Sequence, residues 1–555
     1  MSYLKRQRPR RPPQSAPIRG SGQVPNSAGG YAWAVDDWTR LRRFLVLGSE
    51  GGSYYAREWT LTRKNAEAVE RCVTVDGPGA VAEIVAISRE GRAPKNDPAI
   101  FALALAAGLG DVPTRRAALD ALAEVCRTGT HLFQFASFVE GFRGWGRSLR
   151  RAVGAWYAGR PVEQLAYQAV KYRQRAGYTH RDLLRLSHPG GSVGSGNPSL
   201  EISEEHRRLF EWIVRGGDTA RLPRLVEGFV QAQSAETASR TAELVREYRL
   251  PREALQSEHL TSPQVWEALL EEMPMTAAIR NLATMTRVGV LEPGSAGTAK
   301  VVAQLGDAER IRQARVHPIA VLAALQTYAS GHGVRGRGTW SPVREIVDAL
   351  DGAFYTAFGN VEPAGKRLLL ALDVSGSMEF GEVAGVPGLT PRVASAALAL
   401  VTAATEPQYE IVGFFTGRGG YRKRGRPVWV GYLDGLSPLA ISPRQRLDDV
   451  VKAVSQLPFG GTDCSLPMLY ALERERETDT FVIYTDSETW AGDVHPAQAL
   501  ADYRRASGIE ARLVVVAMVS NGFSIADPAD QGMLDVVGFD TATPQLISDF
   551  AAGAV

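Results

Sequence analysis

The sequence predicts two units in tandem: a solenoid of paired α-helices over residues 23–362, then a doubly wound α/β domain over residues 363–555. Three observations predict this. Helical spacing of apolar residues recurs in segment after segment from about Trp38 to Phe358, with short Gly/Pro/Ser connectors. After Pro363, apolar runs fit for buried strands alternate with helical stretches, which is the pattern of a parallel sheet covered on both faces. The charge changes sign at the same place. Residues 361–555 carry 16 Lys and Arg against 24 Asp and Glu, a net −8, which leaves +11 for residues 1–360. A basic first part points to a polyanionic partner.

Composition sets the outer bounds. The chain has 555 residues, 45% of them hydrophobic and 22% charged, as in ordinary globular proteins of two to four domains. No stretch approaches the roughly 18 unbroken apolar residues of a membrane helix. The richest run, Val393 to Ala404, is broken by Ser395 and Thr402. Cys72, Cys126 and Cys464 are too few and too scattered for a disulfide framework or a zinc cluster, so a cytoplasmic location is expected.

Residues 1–22 hold Lys5, Arg6, Arg8, Arg10, Arg11 and Arg19 with no acid and no apolar signal-peptide segment. They read as a flexible basic arm able to touch polyanions, or as a solvated tail. Helices follow at Pro98–Leu109, Arg115–Cys126, Val162–Arg175, Glu204–Val214, Ala235–Tyr248, Pro263–Met273, Thr276–Val288 and Pro318–Tyr328. Consecutive helices with short loops predict stacked pairs, although no sequence period is visible. In the second unit, strands are expected at Lys366–Val374, Tyr409–Phe415, Thr480–Thr485 and Ala511–Val519. Helices are expected between them at Arg392–Ala404, Arg446–Leu457, Leu466–Glu475 and Pro496–Ser507.

Ligands of such sheets bind outside the carboxyl ends of the strands. Three segments there carry a metal-ligand set. Asp373, Ser375 and Ser377 follow the apolar run Leu368–Leu372, Thr462 lies in the loop Gly460–Asp463, and Asp486 follows Phe481–Thr485. Carboxylates and hydroxyls are hard oxygen donors that suit Mg²⁺ rather than zinc. A DxSxS stretch alone is common, but the three segments in this order resemble the metal-ion-dependent adhesion site of von Willebrand factor A domains. Such sites hold a ligand through the cation. No His or Lys stands nearby as a general base, so no catalysis is expected. His495, the nearest His after Asp486, is expected to cap a loop.

The first unit carries a second constellation. Residues 141–185 contain ten Lys and Arg, among them Arg147, Arg150, Lys171, Arg173, Arg175 and Arg181, opposed only by Glu163 and Asp182. Phe142, Trp145, Trp156, Tyr157, Tyr167, Tyr172 and Tyr178 are interleaved. Cations neutralise phosphates and exposed aromatics stack on unpaired bases. The bland alternative, core filling, is favoured for the aromatics, whereas the cations have too few acids to pair with. Lys171 and Arg175, four apart, are expected to share a helix face. Gly331–Arg337 reads as a flexible basic loop or a plain connector.

The segments Lys171–His188, Phe44–Tyr55, Glu272–Leu282, Thr327–Trp340, Gly461–Met468 and Asp527–Thr541, with His317–Pro318, closely resemble the Ro autoantigen family from about Gln23 to the C-terminus. The resemblance implies an α-helical HEAT-like repeat ring, the TROVE module, followed by a von Willebrand factor A domain with Mg²⁺ or another divalent cation. It implies Y RNA on the outer ring surface, at Lys171, Arg175 and His188, and single-stranded 3′ ends of misfolded RNA in the central hole. It further implies noncoding RNA quality control, possession of a Y-RNA tether to polynucleotide phosphorylase, and a monomer. A short loop between Phe135 and Trp145 is expected to remove some phosphate contacts. The competing readings are a Mg²⁺-dependent nuclease, which lacks a second carboxylate cluster, and a protein-adhesion module acting through the cation.

Overall fold

The computed structural model describes residues 11–48, 66–189, 202–314, 316–333, 338–358, 361–379, 383, 389–415, 421–423, 426–428, 435–442, 444–455 and 460–554. Most of the basic loop expected at Gly331–Arg337, residues 334–337, lies outside them, as do residues 1–10 of the arm.

Helices dominate from Asp37–Leu47 to Arg344–Thr356. Their starts are set by local chemistry: Asp36, Asp111, Thr128, Thr237 and Ser295 each accept a backbone N–H of the first turn, as N-cap side chains do. The helix Asp97–Leu109 is buried on every side from Pro98 to Gly108, which explains its unbroken apolar sequence. The beginning and end of the series meet. His317 Nε2 lies 3.0 Å from the Arg92 carbonyl. A cavity of about 440 Å³ is walled by Ser88 and Asn96 on one side and by Ile279, Ala320 and Trp340 on the other. The helices therefore close into a ring.

The second unit is a six-stranded sheet in the order Met533–Val537, Arg512–Ala517, Thr480–Thr485, Arg367–Asp373, Gln408–Phe414, Leu436–Pro438. All pairs are parallel except the last. Residues of Arg367–Asp373 alternate between two cores. Leu368, Leu370 and Leu372 join a cluster continuous with the helical unit, and Leu369 and Ala371 join a second cluster with Leu466 and Leu500. Both faces are thus covered, as the apolar runs require.

Several expected elements end elsewhere. Arg115–Cys126 divides into Val112–Asp120 and Leu122–Val125. Val162–Arg175 stops at Lys171, and Gln174–Arg175 pairs with Tyr178–Thr179 in a hairpin. The reason is the turn Ala176–Gly177, where both residues have positive φ, 50° and 81°, a twist that suits a two-residue hairpin and that glycine adopts without cost. Lys171 and Arg175 therefore share no helix face. Residues 135–142 are helical within Gly129–Phe142 rather than part of a loop.

The arm is the largest departure. Residues 11–22, expected to be flexible, are held against the α/β domain. Arg11 pairs with Asp502 at 2.5 Å, and Gln14 is fully buried. Gln23–Pro25 and Tyr31–Ala34 then form a sheet with Phe523–Ser524 of the other unit.

Candidate nucleic-acid interface and cation site

The basic segment is built on two helices and a hairpin. Arg147 and Arg150 lie in the first turns of Arg147–Ala158, Arg175 lies in the hairpin, and Arg181 lies in His180–Ser187. Trp145 Nε1 donates to Tyr178 Oη at 2.9 Å, which joins the start of the first helix to the hairpin. Thr179 and Asp182 form a capping box that starts the second helix. Arg143, Arg147, Arg150, Arg151, Arg173, Arg175, Arg181, Arg185 and His188 are all exposed. His188 ends the helix in a left-handed conformation, φ 45°.

Two of the nearby acids are already engaged. Asp182 accepts from the Thr179 backbone N–H and hydroxyl at 2.9 and 2.7 Å, and Glu140 accepts from Tyr178 at 2.7 Å. Among the described residues, none of Arg147, Arg150, Arg175, Arg181 and Arg185 has an ion pair. Lys171 is half-buried and donates to Tyr167 Oη at 2.8 Å. Burial opposes its charge, but the Tyr167 hydroxyl and nearby Tyr172 and Glu253 outweigh that and raise its pKa. Arg173 packs its guanidinium 5.2 Å from the Phe229 ring. Arg160 is a structural cation instead. It lies 3.7 Å from the Trp156 ring and donates to the Trp156 carbonyl, and burial lowers its pKa to about 10. Trp156 and Tyr157 are core residues, as the bland alternative holds. Tyr178, Tyr167 and Tyr172 are partly buried.

The cation set assembles at the carboxyl ends of the two central strands. Asp373 ends Arg367–Asp373, and Asp486 follows Thr480–Thr485 next to it. Sheet pairing thus brings together two carboxylates more than a hundred residues apart. Asp373 Oδ1 accepts from Ser375 N at 2.9 Å, and Oδ2 accepts from the Thr485 hydroxyl at 2.6 Å. Ser375 and Ser377 hydroxyls are 3.1 Å apart, and Ser377 favours the charged form of Asp486. The Gly376 N–H donates to Gly460 O at 3.2 Å, which ties the first loop to the one carrying Thr462. Asp373, Ser375, Thr462 and Asp486 are buried.

Burial first, and the charge of Asp486 second, push the Asp373 carboxyl up to about 7. Asp486 is raised by burial. Neither carboxylate has an ion pair among the described residues. Two buried, mutually repelling carboxylates edged by hydroxyls fit a hard divalent cation, which would supply the missing positive charge. Among the described residues no group of three or more His, Cys, Asp and Glu is placed to hold a metal; the candidate set has two carboxylates, and its other members, Ser375, Ser377 and Thr462, are hydroxyls. Neighbours unseen in the sequence support it. Thr485 orients Asp373, and the buried Arg392 donates to the Val374 and Ser375 carbonyls beneath the first loop. Asp463, adjacent to Thr462, is structural: it accepts from Gln14 and Ser465. His495 precedes the helix Pro496–Ser507 and binds the Ala16 carbonyl at 2.8 Å, so it fastens the arm.

The comparisons with known proteins agree with both units. The TROVE domain family matches residues 24–216 and 244–366, and the Ro60 vWA domain family matches residues 367–551. The chain is 42% identical over 535 residues to "RNA-binding protein RO60" of Deinococcus radiodurans, covering 96% of each. It is 36% identical over 605 residues to "RNA-binding protein RO60" of Caenorhabditis elegans, covering 96% of this chain and 91% of that one. The crystal structure of the Deinococcus radiodurans Ro (Rsr) protein superposes with a TM-score of 0.67 over 94% of this chain and 100% of that one. With a helical ring, a von Willebrand A sheet and relatives matched along nearly their whole length, this chain is a member of the Ro family.

Proposed function

We propose that this chain is an RNA-binding scaffold of the Ro type. Its basic outer face grips Y-RNA-like stem-loops through Lys171, Arg175, Arg181, His188, Arg147, Arg150 and Arg173, and its ring admits single-stranded 3′ ends of misfolded RNA. The observation that carries this reading is the set of exposed arginines of residues 143–185, outnumbering the neighbouring acids, of which Asp182 is held in a helix cap and Glu140 by a tyrosine hydroxyl. A-form RNA hides its base edges, so contacts to phosphates and 2′-hydroxyls suit such a face. The relatives named as RNA-binding proteins support the same reading. A tether to polynucleotide phosphorylase through the bound RNA belongs to the proposal.

The α/β domain holds Mg²⁺ at Asp373, Ser375, Ser377, Thr462 and Asp486 and uses it for docking. Sequencing RNA that copurifies with the chain tests the scaffold reading: small structured RNAs are expected, and no enrichment over a control protein sinks it. Asp373→Ala is expected to abolish Mg²⁺ binding by calorimetry while leaving the copurifying RNAs unchanged, because the RNA face lies on the other unit.

The carboxyls also set a pH dependence. A cation must displace the proton held by Asp373, so Mg²⁺ affinity is expected to rise with pH and level off above about 7. In the cation-free protein this carboxyl contributes stability that is fully present below its ordinary value of 3.8 and is lost as pH rises through about 7. Calorimetric titration between about pH 5 and 8 checks the first statement. Flat affinity across that range would remove Asp373 from the ligand set.

A further inference from the structure

Two routes of buried hydrogen bonds run from the helical unit to the loops of the cation site. The first is the strap of residues 11–34. Gln14 is fully buried and uses every polar atom of its side chain. Its Nε2 donates to Asp463 Oδ1 and to the Val494 carbonyl, both at 2.8 Å. Its Oε1 accepts from the Thr489 hydroxyl and, at 3.3 Å, from Gly492 N. Asn26 donates to the Thr489 carbonyl at 2.8 Å, and the Ala28 N–H donates to the Glu488 carboxylate at 3.1 Å. The strap passes so close that a Cβ on Gly30 would sit 1.9 Å from the Thr489 carbonyl oxygen. Asp463 follows Thr462, and Glu488 and Thr489 follow Asp486, so the strap grips two of the three ligand-bearing loops.

The second route starts at Arg43, in the helix Asp37–Leu47, which is 0% exposed. Its Nη1 donates to the Asn521 carbonyl and Oδ1 at 2.8 and 3.1 Å and to the Phe523 carbonyl at 3.0 Å. Its Nη2 donates to both Asp535 carboxylate oxygens at 2.6 and 2.8 Å. Asn521 Nδ2 in turn donates to the Asp486 carbonyl at 2.6 Å. One side chain therefore separates the first ring helix from a residue of the proposed cation shell.

We propose that the strap and Arg43 couple the cation site to the ring, so that a divalent cation on Asp373 and Asp486 fastens residues 11–47 to the α/β domain. The inference rests on the cation reading above. Mg²⁺ demands near-ideal octahedral geometry, so it fixes the loops that Gln14 and Asn521 hold. Buried polar networks are costly when only partly satisfied, so the loops and the strap settle together. Coupling is reciprocal: if the cation tightens the strap by some factor, loosening the strap weakens the cation by the same factor. Gln14 and Arg43 act as positioning residues and touch no ligand themselves.

The test uses the full-length protein with Mg²⁺, and Mn²⁺ as a second probe. Amide hydrogen exchange over residues 11–47 is followed with and without cation, and cation affinity is measured by calorimetry. The variants are Gln14→Ala and Arg43→Lys, the latter keeping a charge for Asp535 while losing the fork that reaches Asn521. Mg²⁺ is expected to slow exchange in the strap and first helix about tenfold, and each variant to raise the Mg²⁺ dissociation constant about tenfold. Asp373→Ala should remove the cation effect on exchange. Variants that melt at lower temperature but bind Mg²⁺ as tightly as the parent would reduce these residues to structural supports and overturn the coupling. Cation binding without a change in exchange at residues 11–47, or a change that survives Asp373→Ala, overturns it as well. A parent protein that binds neither cation overturns the cation reading itself, and the coupling with it.

Discussion

Replacing Lys171, Arg175 and Arg181 together by alanine will weaken binding of a structured RNA by about 10²-fold at moderate salt, because three charge-assisted phosphate contacts at about 1 kcal/mol each are lost. The dependence of log affinity on log salt will also flatten by about 0.7–0.9 for each phosphate released. Arg175 and Arg181 are exposed and without ion pairs among the described residues, so their removal costs the fold little. Lys171 is held by Tyr167 and its substitution also loosens that pair. Arg160 provides the contrast. Its guanidinium is spent on Trp156 and the Cys126 carbonyl, so Arg160→Ala should lower stability and leave the salt slope alone. Filter-binding titrations at several salt concentrations separate the two effects. An unchanged slope in the triple variant would move the RNA face elsewhere.

Arg43→Ala will destabilise the protein by about 3–5 kcal/mol, the cost of stripping one partner from a buried ion pair. Arg43 is 0% exposed and Asp535 13%, and their forked contact spans the two units. The substitution also strands the carbonyls of Asn521 and Phe523. Chemical denaturation should show the loss, with the single transition splitting into two as the ring and the sheet cease to unfold together. The exposed pair Arg116–Asp120, at 3.7 Å, is the control. Arg116→Ala should cost about 1 kcal/mol or less. A comparably small change for Arg43→Ala would show that the interface is held by apolar packing alone.

Much of the candidate site was legible in the sequence because its residues lie where strands end. Thr480–Thr485 and Pro496–Ser507 have the bounds that the sequence suggests, since an Asp, a Gly or a Pro punctuates each. Asp373 and Asp486 could be placed at one edge because a run of apolar residues followed by an acid is a local signal. Thr485 and Arg392 were missed. Thr485 reads as any strand residue until parallel pairing sets it beside Asp373, and Arg392 reads as the polar start of a helix until that helix buries it. The helix expected through Arg175 failed for a related reason. Spacing alone does not weigh the turn preference of Ala176–Gly177, which won over helix continuation.

The sequence alone determined the order of units, their opposite charges, the oxygen donor set and the excess of arginine over acid in residues 141–185. All of these are carried by periodicity, composition and short spacing, which are properties of neighbours along the chain. The tertiary structure decided that the helices close at Arg92 and His317, that residues 11–34 strap the cation loops, and that Arg43 is buried against Asp535. Arg43 and Asp535 stand 492 positions apart. No local pattern distinguishes a buried arginine in Asp37–Leu47 from its solvated neighbours. Only the docking of one unit on the other removes its water and makes the distant carboxylate its partner.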